Sequence, residues 1–324
     1  MKLYLKKIKN MPKLRIALLM GGISGERKIS LKTGAKIYTT LDKNKYEICK
    51  YDPKHDLKIF INDTLNKKFD LVFPALHGPF GEDGRLQGML DMMGMPYVFS
   101  GCLASALAMD KAKAKIIARN SGINVGRDII LNNNDSYNIK KIIKKLSLPI
   151  FIKTLLSGSS VGISMAKNDK DLQKGILNAF KFGNKILLEE FINGRELTVP
   201  IIGNPPESLP VIEIKPKIFQ WFDYKAKYKK GGTEEICPAH IPNNIKKEIQ
   251  LLGIKIFKAV GCKDLARADF IWSKIDNKLY FLEINTIPGM TDASLTPQSA
   301  KVAGLDFGQF LDKLIETALN NKNV

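Results

Sequence analysis

Two apolar runs joined by a short polar turn, residues 265–272 (LARADFIW) and 278–284 (KLYFLEI), constrain this chain more than any other feature. Both have strand composition, and the turn at 273–277 makes them an antiparallel hairpin. Side chains alternate faces along a strand, so Arg267 and Asp269 share one face of theirs, and Glu283 and Asn285 share one face of the other. A turn centred on Asp276 sets Asp269 opposite Glu283 and Arg267 opposite Asn285. A slip of one residue would separate them, because it turns every side chain to the other face. Two carboxylates held together repel unless a proton or cation lies between them. Carboxylate and amide oxygens suit Mg2+, which keeps positions open for water and phosphate oxygens. Spacing alone leaves open the alternative of a solvated hairpin with ordinary surface charges.

A chain of 324 residues is long for one core, so two or three domains are expected. With 44% hydrophobic and 26% charged residues it is a folded globular protein and not a disordered one. No apolar run approaches the ~20 residues that span a bilayer. The basic start MKLYLKKIKNMPK lacks both a continuous apolar stretch and a small-residue cleavage site, so it reads as an extension before the first strand. The four cysteines (Cys49, Cys102, Cys237, Cys262) are scattered without a C-x-x-C pair. That suits reduced thiols in a cytoplasmic protein, with neither a disulfide framework nor a zinc site. A net charge of +19 raises nucleic-acid binding as a possibility. The lysines are spread over helical faces and turns with no accompanying motif, so anionic substrates and general lysine enrichment explain the charge. Neither a nucleic-acid nor a membrane partner is expected.

The run 14–20 (LRIALLM) reads as a buried strand, followed by the glycine turn Gly21-Gly22-Ile23-Ser24-Gly25-Glu26 and a helix over 27–41. Strand, glycine turn and helix open an α/β domain whose helix start can meet an anion or carboxylate. Strands are expected over 46–51 and 70–76, with a loop from His77 to Gly84 at a carboxyl end, where open α/β sheets place ligands. Asp110 caps a helix over 110–120. A second unit begins near Leu148, with strands over 150–153, 161–166 and 185–190 and a helix over 169–182. Mixed strands and helices are expected over 196–214. The stretch 217–235, rich in Lys, Tyr, Asp and Gly, has no period and reads as a lid. Helices over 243–260 and 306–319 complete the pattern.

The turn Gly158-Ser159-Ser160-Val161-Gly162 follows Lys153 closely. Successive backbone N–H groups in such a turn, with a strand-borne lysine, make an anion site. A plain chain reversal is the alternative, and no P-loop motif occurs. His77 is followed by glycine and lies near Glu82 and Asp83. His55 and His240 have no partnered spacing, so a His-based metal site and a Ser-His-Asp triad lack support.

In order along the chain, GGISGERKIS (21–30), ALHGPFGEDGRLQGML (75–90), SGCLASALAMDK (100–111), GSSVGIS (158–164), EEFINGRELTV (189–199), FDYKAKY (222–228), GGTEEICPA (231–239), RADF (267–270) and LEINTIPGMTDASLTPQSA (282–300) resemble the D-alanine–D-alanine ligases of the ATP-grasp superfamily. The resemblance covers nearly the whole chain from about Leu14. It implies an α/β fold of three domains. These are an N-terminal Rossmann-like open sheet (1–99, with 1–13 a basic extension), a central ATP-grasp subdomain (100–189) and a C-terminal one (190–324). It also implies ATP and two Mg2+ or Mn2+ ions, two molecules of D-alanine and a homodimer. One D-alanine carboxylate attacks the γ-phosphate, and the amine of the second displaces phosphate from the acyl phosphate, for peptidoglycan precursor synthesis.

The resemblance also distributes roles. Lys111 and Lys153 would hold phosphates. Glu189 and the backbone from Glu190 to Ile192 would meet the adenine, and Glu196 the ribose. Asp269, Glu283 and Asn285 would hold the metals. Glu26 would pair with the first ammonium, with His77 nearby, in a Glu26–Ser159–Tyr228 network. Arg267 and the N–H of Gly289 would form the oxyanion hole. Lys227, Ser294 and the N–H of Leu295 would hold the second carboxylate. Arg27-Lys28 departs from the more usual arginine–acidic pair, and Pro79-Phe80 alters the rim of the His77 loop. A depsipeptide ligase taking D-lactate is the alternative within the superfamily, and Tyr228 argues against it.

Overall fold

The computed structural model describes residues 12–155, 163–216, 233–291 and 293–321. These residues form three sheets. The first is parallel, with β1 (Leu14–Leu19) between β2 (Tyr46–Tyr51) and β3 (Leu71–Pro74). Parallel neighbours need crossovers, and α1 (Arg27–Thr40) and α2 (Pro53–Leu65) supply them. Ile16 to Leu19 are wholly buried because both faces of the sheet are covered. Ala17 and Leu19 pack with Phe60 of α2 and with Leu86 and Leu90 of α3 (Arg85–Met92).

The helices α4 (Cys102–Met109) and α5 (Lys111–Asn120) lead into the second sheet. It comprises β4 (Asp128–Asn132), β5 (Ile150–Thr154), β6 (Ser164–Ala166) and β7 (Lys185–Glu190), antiparallel in the order β4-β7-β5-β6. Its apolar face is covered by α6 (Ile139–Leu146) and α7 (Asp169–Ala179), through Ile142, Leu146, Leu172 and Ile176.

The third sheet has β8 (Gly194–Ile202), β10 (Ile212–Pro216), β11 (Thr233–Ile236), β12 (Leu265–Ser273) and β13 (Leu279–Asn285) in the order β11-β10-β8-β12-β13, with the short β9 (Glu207–Ser208) beside β8. Between β11 and β12 runs α8 (Asn243–Val260), which buries Ile245, Ile249, Gly253, Ile256, Phe257 and Val260 along one stripe. Gly253 lets it lie close, since a Cβ there would come within 2.8 Å of Val199 Cγ1. Alanines of α4 and α5 join this core, so those helices rest on the third sheet. After α9 (Leu295–Val302), α10 (Phe307–Asn320) starts with an Asp306–Gln309 capping box. Its Phe310, Leu311, Leu314 and Ile315 pack against Ile16, Leu18 and Phe73, so the closing helix covers the first sheet.

Several expected elements shift. The strand expected over 70–76 is Leu71–Pro74, and the helix over 169–182 stops at Ala179. The stretch 196–214 holds strands and no helix, because β8 pairs with both β10 and β12. The last residues of the expected lid, Thr233 to Glu235, are strand, with Ile214 paired to Glu235 and Lys215 to Glu234. The rest of that lid, with Lys227 and Tyr228, lies outside the described residues, as does the Gly158–Gly162 turn with Ser159.

Candidate active site

The hairpin has the expected register, with Arg267 paired to Asn285 and Asp269 to Glu283. A bulge just beyond, between Asp269 and Phe270, shifts the ladder after the carboxylates have been set side by side. Each carboxylate has its own cation. Arg267 grips Asp269 with Nε at 2.9 Å and Nη2 at 2.7 Å, and Lys111 Nζ lies 2.8 Å from Glu283 Oε2. Thr198, paired with Asp269 in the ladder, donates its hydroxyl to the same carboxylate. Burial works against both cations, but Asp269 raises the pKa of Arg267 and Glu283 that of Lys111, so both stay charged.

These residues separate two cavities. The first, about 780 Å3, lies between the second and third sheets. Phe151, Lys153, Glu189, Glu190, Phe191 and Ile192 line one side, and Glu196, Ile214, Asp269, Ile271 and Glu283 the other. Asp110 caps α5 by accepting from the N–H groups of Ala112 and Lys113, which fixes where Lys111 enters. Glu189 is 6% exposed, with one oxygen 2.5 Å from Lys115 Nζ and the other 2.5 Å from Lys153 Nζ. Burial opposes its ionisation, yet Lys153 and Lys115 hold its pKa down to about 2.

The second cavity, about 680 Å3, lies on the other side of Lys111, Asp269 and Glu283, with Glu26, His77, Arg267, Gly289, Ser294 and Leu295 in its wall. His77 is 5% exposed, with Nε2 2.9 Å from Thr33 Oγ1 and Nδ1 3.4 Å from Glu82 Oε1. Gly78, at φ +75°, adopts a conformation that favours glycine, and a Cβ there would also come within 3.2 Å of Glu26 Oε1. Ser24 ties the two loops together by donating to His77 O at 2.6 Å and accepting from Glu26 N–H at 3.1 Å. Across the cavity, Ser294 Oγ accepts from Thr291 N–H at 2.9 Å, and Leu295 begins α9, where the first N–H groups lack intrahelical partners.

Of the residues singled out from sequence, Lys111, Lys153, Glu189, Glu190, Ile192 and Glu196 therefore line the first cavity. Glu26, His77, Arg267, Asn285, Gly289, Ser294 and Leu295 line the second, and Asp269, Glu283 and Lys111 itself line both. Ser159, Lys227 and Tyr228 cannot be placed among the described residues.

Sequence reasoning missed Lys115, Thr198, Asp52 and Glu235. Lys115 lies one helical turn beyond Lys111 on the same face, which is the signal that marks it. Asp52 pins the glycine turn by accepting from Gly22 N–H at 2.9 Å and from both terminal nitrogens of Arg27 at 2.8 and 2.5 Å. Arg27 holds its pKa down to about 2. Glu235 accepts from Gln298 Nε2 at 2.5 Å in the wall of the second cavity, and burial raises its pKa.

Asp269, Glu283 and Asn285 offer an all-oxygen donor set on adjacent strands. Asn285 Oδ1 accepts one N–H, from Ile287 at 3.0 Å, and keeps a second lone pair. Among the described residues there is no group of three or more His, Cys, Asp or Glu that could enclose a metal. Two carboxylates and an amide thus fit a hard divalent cation that completes its shell with water and phosphate oxygens.

Two sheets closing over a charged cleft, behind an N-terminal open α/β sheet, define an ATP-grasp enzyme. Residues 117–316 match the family described as D-ala D-ala ligase C-terminus, and residues 50–102 its N-terminus. The chain is 40% identical to a D-alanine–D-alanine ligase of Syntrophobacter fumaroxidans, covering 95% of this chain and 99% of the relative. It is 43% identical to one from Desulfotalea psychrophila, covering 95% of each. Among solved structures, the D-alanine–D-alanine ligase of Bacillus anthracis superposes with a TM-score of 0.84 at 35% identity, covering 95% of this chain and 98% of that one. The same enzyme complexed with ATP gives 0.83 at 32% identity over the same shares. The chain belongs to the D-alanine–D-alanine ligase family.

Proposed function

We propose that this protein joins two D-alanines to D-alanyl-D-alanine at the expense of ATP, through an acyl phosphate, releasing ADP and phosphate. The observation that carries this reading is the meeting of the two cavities at Lys111, Asp269 and Glu283. A nucleotide in the first cavity would direct its terminal phosphate at this wall, and a carboxylate in the second would approach the same wall from the other side.

In the first cavity, Glu189 and the backbone from Glu190 to Ile192 line the place of the base, Glu196 offers the ribose contact, and Lys111 and Lys153 the charge for the phosphates. Asp269, Glu283 and Asn285 would hold Mg2+ or Mn2+, which supplies charge neutralisation at the transferring phosphate. In the second cavity, Glu26 meets the ammonium of the first D-alanine beside His77. Arg267 and the N–H of Gly289 face the oxygen that becomes negative when the second amine attacks, where preorganised donors act most strongly. Ser294 and the N–H of Leu295 hold the second carboxylate, a helix start being suited to an anion. Ser159, Lys227 and Tyr228 keep the family roles given above.

The division into units 1–99, 100–189 and 190–324, a homodimeric assembly, and a cytoplasmic location in peptidoglycan precursor synthesis belong to the same proposal. Among the described residues no helix is long and apolar enough to cross a membrane. The test is phosphate release by the purified protein with ATP and Mg2+. Release that depends on D-alanine and yields the dipeptide is expected, whereas release indifferent to D-alanine would refute the reading.

A further inference from the structure

Lys115 is 1% exposed, and the roles above give it nothing to do. A buried ammonium is costly unless it is paired, so its partner explains its presence. Its Nζ lies 2.5 Å from one oxygen of Glu189, whose other oxygen lies 2.5 Å from Lys153 Nζ. One lysine would already neutralise this carboxylate. The second leaves the trio with a net charge of +1, and the asymmetry of burial decides where that charge is felt. Both lysines line the first cavity, but the side chain of Lys115 is 2% exposed and that of Lys153 is 17% exposed, so Lys153 presents more of itself to a ligand.

A Glu189–Lys153 pair alone would be neutral, and both carboxylate oxygens would compete with any ligand for the Lys153 ammonium. With Lys115 holding Oε1, Glu189 engages Lys153 through Oε2. A donor of Lys153 and the surplus charge then face the cavity. The two lysines come from separate elements, α5 and β5, and Glu189 comes from β7. The chain thus brings three distant segments together to build one cationic point.

We propose that Lys115 is a positioning residue for the polyphosphate of the nucleotide, acting through Glu189 to keep Lys153 a net cationic donor. This rests on the reading of the first cavity as a nucleotide site. A purely structural lysine that fastens α5 to β7 is the competing explanation, and the two differ in what they do to ligands. A structural loss loosens the whole cavity, whereas loss of the surplus charge weakens phosphate-bearing ligands and spares the nucleoside.

The experiment is calorimetric titration of ADP and of adenosine, with Mg2+, into the wild-type protein, Lys115→Met, Glu189→Gln and the double variant. Lys115→Met is expected to weaken ADP about tenfold and adenosine by less than about twofold, as for removal of one buried charge from a phosphate site. Against Glu189→Gln the same substitution should change ADP affinity by less than about twofold, because the carboxylate it works through is gone. Lys115→Gln, which keeps a donor towards Glu189 without the charge, should repeat the selective loss and serves if Lys115→Met does not fold. Equal losses of ADP and adenosine, or a tenfold loss that persists with Glu189→Gln, overturn the inference alone. A wild-type protein that binds no ADP overturns the nucleotide reading together with it.

Discussion

The first cavity is walled mainly by strands, whereas the second takes much of its wall from turns and helix starts. In the first, strands and the helix α5 place the charges, which are paired across the sheet or the cleft, as in Lys111–Glu283 and Lys115–Glu189–Lys153. In the second, His77, Glu26 and Ser294 are held by short hydrogen bonds to backbone groups and small hydroxyls. In the strand-built half, a backbone shift at one residue would disturb the ladder that holds its neighbours. The loop-built half is tuned residue by residue, and changes there should leave nucleotide binding intact.

The largest effect should come from the wall common to both. Glu283→Gln removes the proposed metal ligand and the partner of Lys111 together, and ligation should fall by at least ~100-fold, as when one preorganised transition-state contact is lost. Circular dichroism should show the fold retained, and near-wild-type turnover at ordinary Mg2+ would remove Glu283 from the metal site. Ser294→Ala should act on one half only. The KM for the second D-alanine should rise about tenfold, the scale of one hydrogen bond to a charged group, with the KM for ATP unchanged. A parallel rise in the KM for ATP would erase the division between the cavities.

The pairing of Glu189 makes a pH prediction. Its folded pKa, about 2, is depressed from the usual 4.5. Its contribution to stability is therefore fully present above the unfolded value and is lost as pH falls from about 4.5 through about 2. That difference corresponds to roughly 3 kcal/mol. Denaturant titrations across this range should show a steeper acid decline for the wild type than for Glu189→Gln, and parallel declines would contradict the triad.

The smallest effect concerns Asp264, which accepts from Phe99 N–H at 2.8 Å and Asn321 Nδ2 at 2.8 Å and is not among the residues lining either cavity. Burial raises its pKa from 3.8 to about 6. The sign is opposite, with a stabilising contribution present below about 3.8 and lost as pH rises through about 6. A modest fall in melting temperature over that interval, absent in Asp264→Asn and without change in the KM for D-alanine, is expected.

How far these features could be read from sequence follows the same division. The pairing of Asp269 with Glu283 was legible because alternation and a short turn fix a hairpin locally. The cation partner of Glu283 was not, since Lys111 comes from a distant helix that reaches the hairpin only through the alanine packing of α4 and α5 on the third sheet. Lys115 sits in an alternating Lys-Ala run, where its spacing from Lys111 puts the two on one face without showing that it is buried against Glu189. Glu235 was hidden in a polar stretch that reads as lid, and only pairing with β10 makes it strand. The helix over 306–319 was legible, but not that the first sheet would be its partner. For His77, Glu26 and Ser294 the roles came from the resemblance, because loop residues carry no period.

The central claim is that a carboxylate in the second cavity reaches the terminal phosphate of a nucleotide in the first, across the wall of Asp269 and Glu283. D-alanine labelled with 18O in its carboxylate, incubated with the protein, ATP and Mg2+, tests it directly. One 18O atom per turnover should appear in the released phosphate, with ADP as the other nucleotide product. Phosphate free of label, or AMP and pyrophosphate in place of ADP and phosphate, would contradict it.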